Sequence, residues 1–160
     1  MKTTTATLTL AFVLAAVTCA LGQAVDPWIG TWKTNPAKSA FSQGLEPKTP
    51  MTLTIDSAPG GAIKVVTDYT DGQGHPTHTE IVAAFDGKQN PVKGGHVASA
   101  TNAFKRIDAR TFEMQGMADD KPTITTRAVV SADGKTMTWN QTGQTINGQA
   151  VKNTIVLDKQ

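Results

Sequence analysis

Met51-Thr52-Leu53-Thr54-Ile55-Asp56 is followed by Gly60-Gly61, then by Ile63-Lys64-Val65-Val66-Thr67-Asp68-Tyr69, then by Asp71-Gly72. Met51, Leu53 and Ile55 share one face, with Thr52, Thr54 and Asp56 opposite. Ile63, Val65, Thr67 and Tyr69 share another face. A period of two in a stretch rich in Thr, Val and Ile marks strands with one buried face. Glycine pairs between such runs mark turns. Strands joined by tight turns are antiparallel neighbours.

The pattern continues outward to the C-terminus. Thr79, Ile81, Ala83 and Phe85 alternate with His78, Glu80 and Val82. Phe112 and Met114 alternate with Thr111, Glu113 and Gln115. Ile124, Thr126, Ala128 and Val130 oppose Thr125, Arg127 and Val129. Met137, Trp139 and Gln141 oppose Thr138, Asn140 and Thr142, and Val151, Asn153, Ile155 and Leu157 close the chain. Asp71-Gly72, Asp86-Gly87, Asp133-Gly134 and Asn147-Gly148 read as two-residue hairpin turns. Asp119-Asp120-Lys121-Pro122 marks another turn. The expected fold is all-β: an antiparallel up-and-down meander of eight to ten strands. Sequential hairpins without a long crossover favour a closed barrel over a sandwich, because closure removes exposed edges. Residues 35–50 hold Pro36, Pro47 and Pro50, so they are expected to form a loop with at most one short turn.

Residues 1–24 read differently. Lys2 supplies a positive charge, residues 8–21 are almost wholly apolar or small, and no acid occurs before Asp26. That is the pattern of a secretory signal peptide, with an apolar run short for a membrane span. Gly22-Gln23-Ala24 offers a cleavage site that leaves Val25 first, and Ala20-Leu21-Gly22 a second. The expectation is an exported protein, periplasmic or secreted, with residues 25–160 forming a single domain. Membrane attachment would require lipidation at Cys19, and Thr18 before it matches a lipobox poorly.

The whole chain has 160 residues, with Lys+Arg 15 against Asp+Glu 13 and a net charge of +2. Removing residues 1–24 leaves 14 basic and 13 acidic residues, a net charge of +1, and no cysteine. No Lys/Arg cluster marks a nucleic-acid footprint. Without cysteine, thiolate metal sites and cysteine nucleophiles are excluded, and an exported domain must rely on its core alone.

Trp28-Ile29-Gly30-Thr31-Trp32-Lys33 contains the Gly-x-Trp of the first strand of lipocalins, and it also resembles the opening of fatty-acid-binding proteins. The chain further resembles a group of exported bacterial proteins with a lipocalin-like, calycin-type barrel. The stretches that carry this are 32–39, Ser131-Ala132-Asp133-Gly134-Lys135-Thr136 and 104–112. The resemblance implies that Gly30 lets the first strand enter the barrel bottom and that Trp32 plugs that end. It implies an Arg packed across the Trp ring, with Arg127 the first candidate and Arg106 the second.

In such a barrel Tyr69, Phe85, Phe104, Phe112, Met114 and Trp139 could line a ligand cavity, with Arg106 or Arg127 meeting a ligand carboxylate. Small barrels are often filled by their own side chains. Most of these aromatics are therefore expected to fill the core, leaving a pocket near one mouth. His75, His78 and His96 are expected to be solvated loop residues, without a metal site. No nucleophile motif, phosphate loop or singled-out carboxylate pair is present, so no enzyme and no cofactor are expected. The expected function is binding of a small hydrophobic or amphipathic ligand. The alternative is a protein-interaction or inhibitor barrel acting through its loops and outer face.

Overall fold

The computed structural model describes residues 25–160, so the leader-like segment, with Cys19, lies outside the described residues. The alternating runs form β1 (Gly30–Thr34), β2 (Thr52–Ala58), β3 (Ala62–Thr70), β4 (Pro76–Ala83), β5 (Asn90–Pro91) and β6 (Lys93–Gly94). They continue as β7 (Thr101–Arg106), β8 (Thr111–Ala118), β9 (Lys121–Val130), β10 (Thr136–Gln144) and β11 (Ala150–Lys159). All pair antiparallel in one sheet, ordered β5-β7-β8-β9-β10-β11-β1-β2-β3-β4-β6. The described residues contain no α-helix, only 3₁₀ turns at Pro36–Lys38 and Pro59–Gly61.

The two ends of the sheet lie on one short segment. Asn90 and Pro91 pair with β7, while Lys93 and Gly94 pair with β4. Only Val92 separates them, so this segment nearly closes the barrel. The strands are numerous but the meander is as expected, with one exception. Asp86-Gly87 is not a hairpin: Asp86 bridges Lys105, and the Gly87 amide donates to the Phe104 carbonyl at 3.0 Å. The chain leaves β4 here to stitch the seam.

The other turns also differ in detail. At Asp133-Gly134 and Asn147-Gly148 only the glycine has a positive φ, of 70° and 80°. These are longer loops with a left-handed glycine, whereas a two-residue type I′ turn needs positive φ at both positions. Asp119 and Asp120 meet that condition, at 48° and 59°, in the two-residue turn between Ala118 and Lys121. Asp tolerates the left-handed region better than most side chains.

The inward faces converge on two different ends. At the closed end Trp28 and Trp32 are fully buried and Phe112 nearly so, while the nearly buried Phe104 packs on Phe85 and Phe112 and also borders the cavity. Trp28 packs on Phe85 and Phe112 with centroids 5.3 and 5.4 Å apart. The Trp32 indole N–H donates to the Trp28 carbonyl at 2.8 Å. Trp32 is thus buried at the start of the first strand, beside Trp28.

The cation expected over that ring is a different one. Arg127 is exposed on β9, in register between Glu113 and Asn140 on the outer face. Its neighbours Thr126 and Ala128 point inward, and successive strand residues face opposite sides. Lys159 Nζ instead lies 5.0 Å from the Trp32 ring centroid. Arg106 lies across Trp28, 4.6 Å from its ring, and 5.0 Å from Phe85. Its guanidinium donates to both Asp26 carboxylate oxygens at 2.7 and 2.6 Å. Gly30 of the Gly-x-Trp motif has φ 131°, and a Cβ there would stand 2.9 Å from Lys159 Cε.

Candidate ligand cavity

The opposite half of the barrel is not filled. Inward positions on the strands enclose a cavity of about 350 Å³. Trp139 and Phe104 project into it from β10 and β7, Tyr69 from β3, and Met51, Val65 and Ile81 complete an apolar wall. Val92 contributes from the seam.

The 35–50 loop covers this end. It presents Phe41, Leu45 and Pro47 to the cavity, while Glu46 and Lys48 line an adjoining hollow that shares Thr34, Phe41 and Pro47 with it. The loop is docked at both ends. Ala40 bridges Thr154, the Ser42 amide donates to Asn153 Oδ1 at 2.8 Å, and the Lys152 amide donates to Ser42 Oγ at 2.7 Å. Towards β3, the Lys48 amide donates to the Thr70 carbonyl and the Thr70 amide to Thr49 Oγ1, both at 2.8 Å. Prolines in the loop limit its conformations and so reduce the entropy lost on docking.

Polar groups interrupt the apolar wall at a few points. Asn153 Nδ2 donates to Gln141 Oε1 at 2.9 Å, and Gln141 Nε2 donates to Thr126 Oγ1 at 3.2 Å. Asn102, Thr67 and Thr79 also reach the lining. Thr34 is 5% exposed, and among the described residues its hydroxyl has no hydrogen-bond partner. Burial raises the Tyr69 phenol above its usual pKa, partly offset by a hydrogen bond with Thr77.

Of the residues singled out in the sequence, Tyr69, Phe104, Met114 and Trp139 are brought together here. Phe85, Phe112 and Arg106 are not; they belong to the closed end, and Arg127 faces outward. No arginine therefore reaches the cavity as a carboxylate anchor. Sequence reasoning did not reach Thr34, Asn102 or the loop residues Phe41, Leu45 and Pro47. Gln141 and Asn153 carried a signal: each is an amide on an otherwise apolar inward face.

The rim is organised around Asp71. Its Oδ1 accepts the Gln73 and His75 amides at 2.9 Å each. These bonds, that from His75 foremost, hold the carboxyl below the usual carboxylate pKa range. The His75 and His96 rings meet edge-on at 5.8 Å, and His96 Nε2 lies 3.0 Å from Thr77 Oγ1. His78 points away to Asp68 at 2.6 Å. Among the described residues no group of three or more His, Cys, Asp or Glu is arranged to hold a metal ion.

Asp71→Ala should make the Gln73 and His75 amides exchange severalfold faster at pH 7, measured by NMR hydrogen exchange. The wild-type turn should show the same loosening only in acid. A carboxylate whose folded pKa is depressed contributes above its unfolded pKa, and that contribution is lost as pH falls through the folded value.

No family model matches the sequence. No curated protein matches it either.

Proposed function

We propose that the protein is an exported, lipocalin-like carrier that holds one small apolar or amphipathic molecule beneath the 35–50 loop. The observation that carries this reading is the covered cavity of about 350 Å³, walled by aromatic and aliphatic side chains with a few convergent polar groups. Ligand sites of that size and lining are common in the mouths of β-barrels. The complete burial of Trp28 and Trp32 away from the cavity supports it, because the aromatic core there is packed solid. The signal-like composition of residues 1–24 supports export.

The test uses N-phenyl-1-naphthylamine, a neutral dye whose emission rises in apolar surroundings. Saturable 1:1 binding with a Kd in about the micromolar range is expected. Thr67→Trp, which fills the cavity from β3, should abolish it while the far-UV spectrum is retained. No saturable binding by the wild-type protein would overturn the reading.

A further inference from the structure

Charge is absent from the cavity in an ordered way. Among the described residues no Lys, Arg, His, Asp or Glu contributes to its lining. The guanidinium nearest the aromatic core, Arg106, is committed to Asp26 at the closed end. Glu46 and Lys48 flank Pro47 on the covering loop, and they line not the cavity but an adjoining hollow that shares Thr34, Phe41 and Pro47 with it. An ion brought into the cavity would lose its hydration without gaining a counter-charge, and that loss is large.

The polar groups that do line the cavity are neutral. Gln141 and Asn153 are oriented by each other, by Thr126 and by the Ser42 amide of the loop. Each amide nitrogen keeps a second N–H beyond these bonds. The Thr34 hydroxyl is more than nine-tenths buried and has no partner among the described residues. A hydroxyl both donates and accepts, so a ligand alcohol or carbonyl can satisfy it, and leaving it unsatisfied is costly.

We propose that the cavity selects an uncharged amphipathic ligand, its apolar body lying on Trp139 and Phe104 and one alcohol or carbonyl group meeting Thr34 beneath the loop. This rests on the carrier reading above and narrows it, because it excludes the carboxylate ligand that an interior arginine would have served.

The experiment displaces N-phenyl-1-naphthylamine with 1-dodecanol and with dodecanoate at pH 8, both below their aggregation concentrations. The two share one chain and differ in charge. Dodecanol should displace the dye at a concentration at least about tenfold lower than dodecanoate does. Equal or better displacement by dodecanoate would overturn the inference and leave the carrier reading standing. Displacement by neither, with the dye bound, would do the same. Failure of the dye itself to bind would overturn both. Thr67→Lys places an ammonium in the wall and should collapse or reverse the preference; an unchanged preference in a folded variant counts against the inference. Thr34→Val should weaken dodecanol severalfold without lowering the thermal midpoint of the empty protein, and unchanged dodecanol affinity would remove Thr34 from the site. The wild-type comparison stands even where a variant does not fold.

Discussion

Replacing Trp32 by alanine should lower the unfolding free energy by about 3–5 kcal/mol, the range for deleting a large buried aromatic. The indole is fully buried, its N–H is satisfied by the Trp28 carbonyl, and its ring carries the Lys159 ammonium. It sits where β1 is held between β11 and β2, so neighbouring strands cannot collapse into the void without losing register. Urea denaturation followed by far-UV circular dichroism measures the loss as a lower midpoint at constant slope. Phe41→Ala, in the partly buried covering loop, should cost clearly less, since water already reaches that side chain. Equal losses at the two positions would show that the closed end is not the anchor of the fold.

Gly143→Ala should cost about 3 kcal/mol or more, from backbone strain together with a steric clash. Gly143 lies within β10, opposite Ile124, with φ 128°. A Cβ there would stand 2.2 Å from the Thr123 carbonyl oxygen and 3.2 Å from the Ile124 Cα. Backbone atoms of a paired strand cannot step aside cheaply, so β9 and β10 must separate locally or the variant must unfold. Gly148→Ala is the control. It also has a positive φ, of 80°, but open space around the new methyl, so only the left-handed penalty of about 1 kcal/mol applies. Comparable losses in the two variants, measured by the same urea titration, would remove the close approach as the cause.

Much of the fold is legible from period-two alternation, because strand direction and facing follow from local geometry alone. Val151, Asn153, Ile155 and Leu157 alternate in sequence and are buried in the structure. The same rule already assigned Arg127 to the face opposite Thr126 and Ala128. Placing Arg127 on Trp32 set a family pattern against the pleat, and the pleat prevailed. Lys159 takes the position because β1 pairs with β11 in the register Trp32 to Lys159. Registers between distant strands are not written in either strand by itself.

The hairpin at Asp86-Gly87 failed for a related reason. A dipeptide specifies what a turn can be, while the bond it makes depends on which strand lies alongside. Here the Phe104 carbonyl accepts the Gly87 amide, and the chain serves the seam.

The candidate site was legible in part. Tyr69, Phe104 and Trp139 are large inward residues, and the structure gathers them around the cavity. Phe85 has the same pattern in sequence yet stacks on Trp28 at the closed end, 5.3 Å away. Alternation says which side of the sheet a residue faces, and nothing about which end of the barrel it fills.

An antiparallel all-β chain, with Gly30 and Trp32 as its motif, follows from the residues alone, because strand period, turn chemistry and burial act over a few residues. It took the folded barrel to show which aromatics pack around Trp28 and which line the cavity, and that Arg106 and Arg127 lie outside it. Those outcomes depend on the register of strands far apart in sequence and on a loop folded back between β11 and β3. Whether space remains between side chains is a property of how all the strands pack at once.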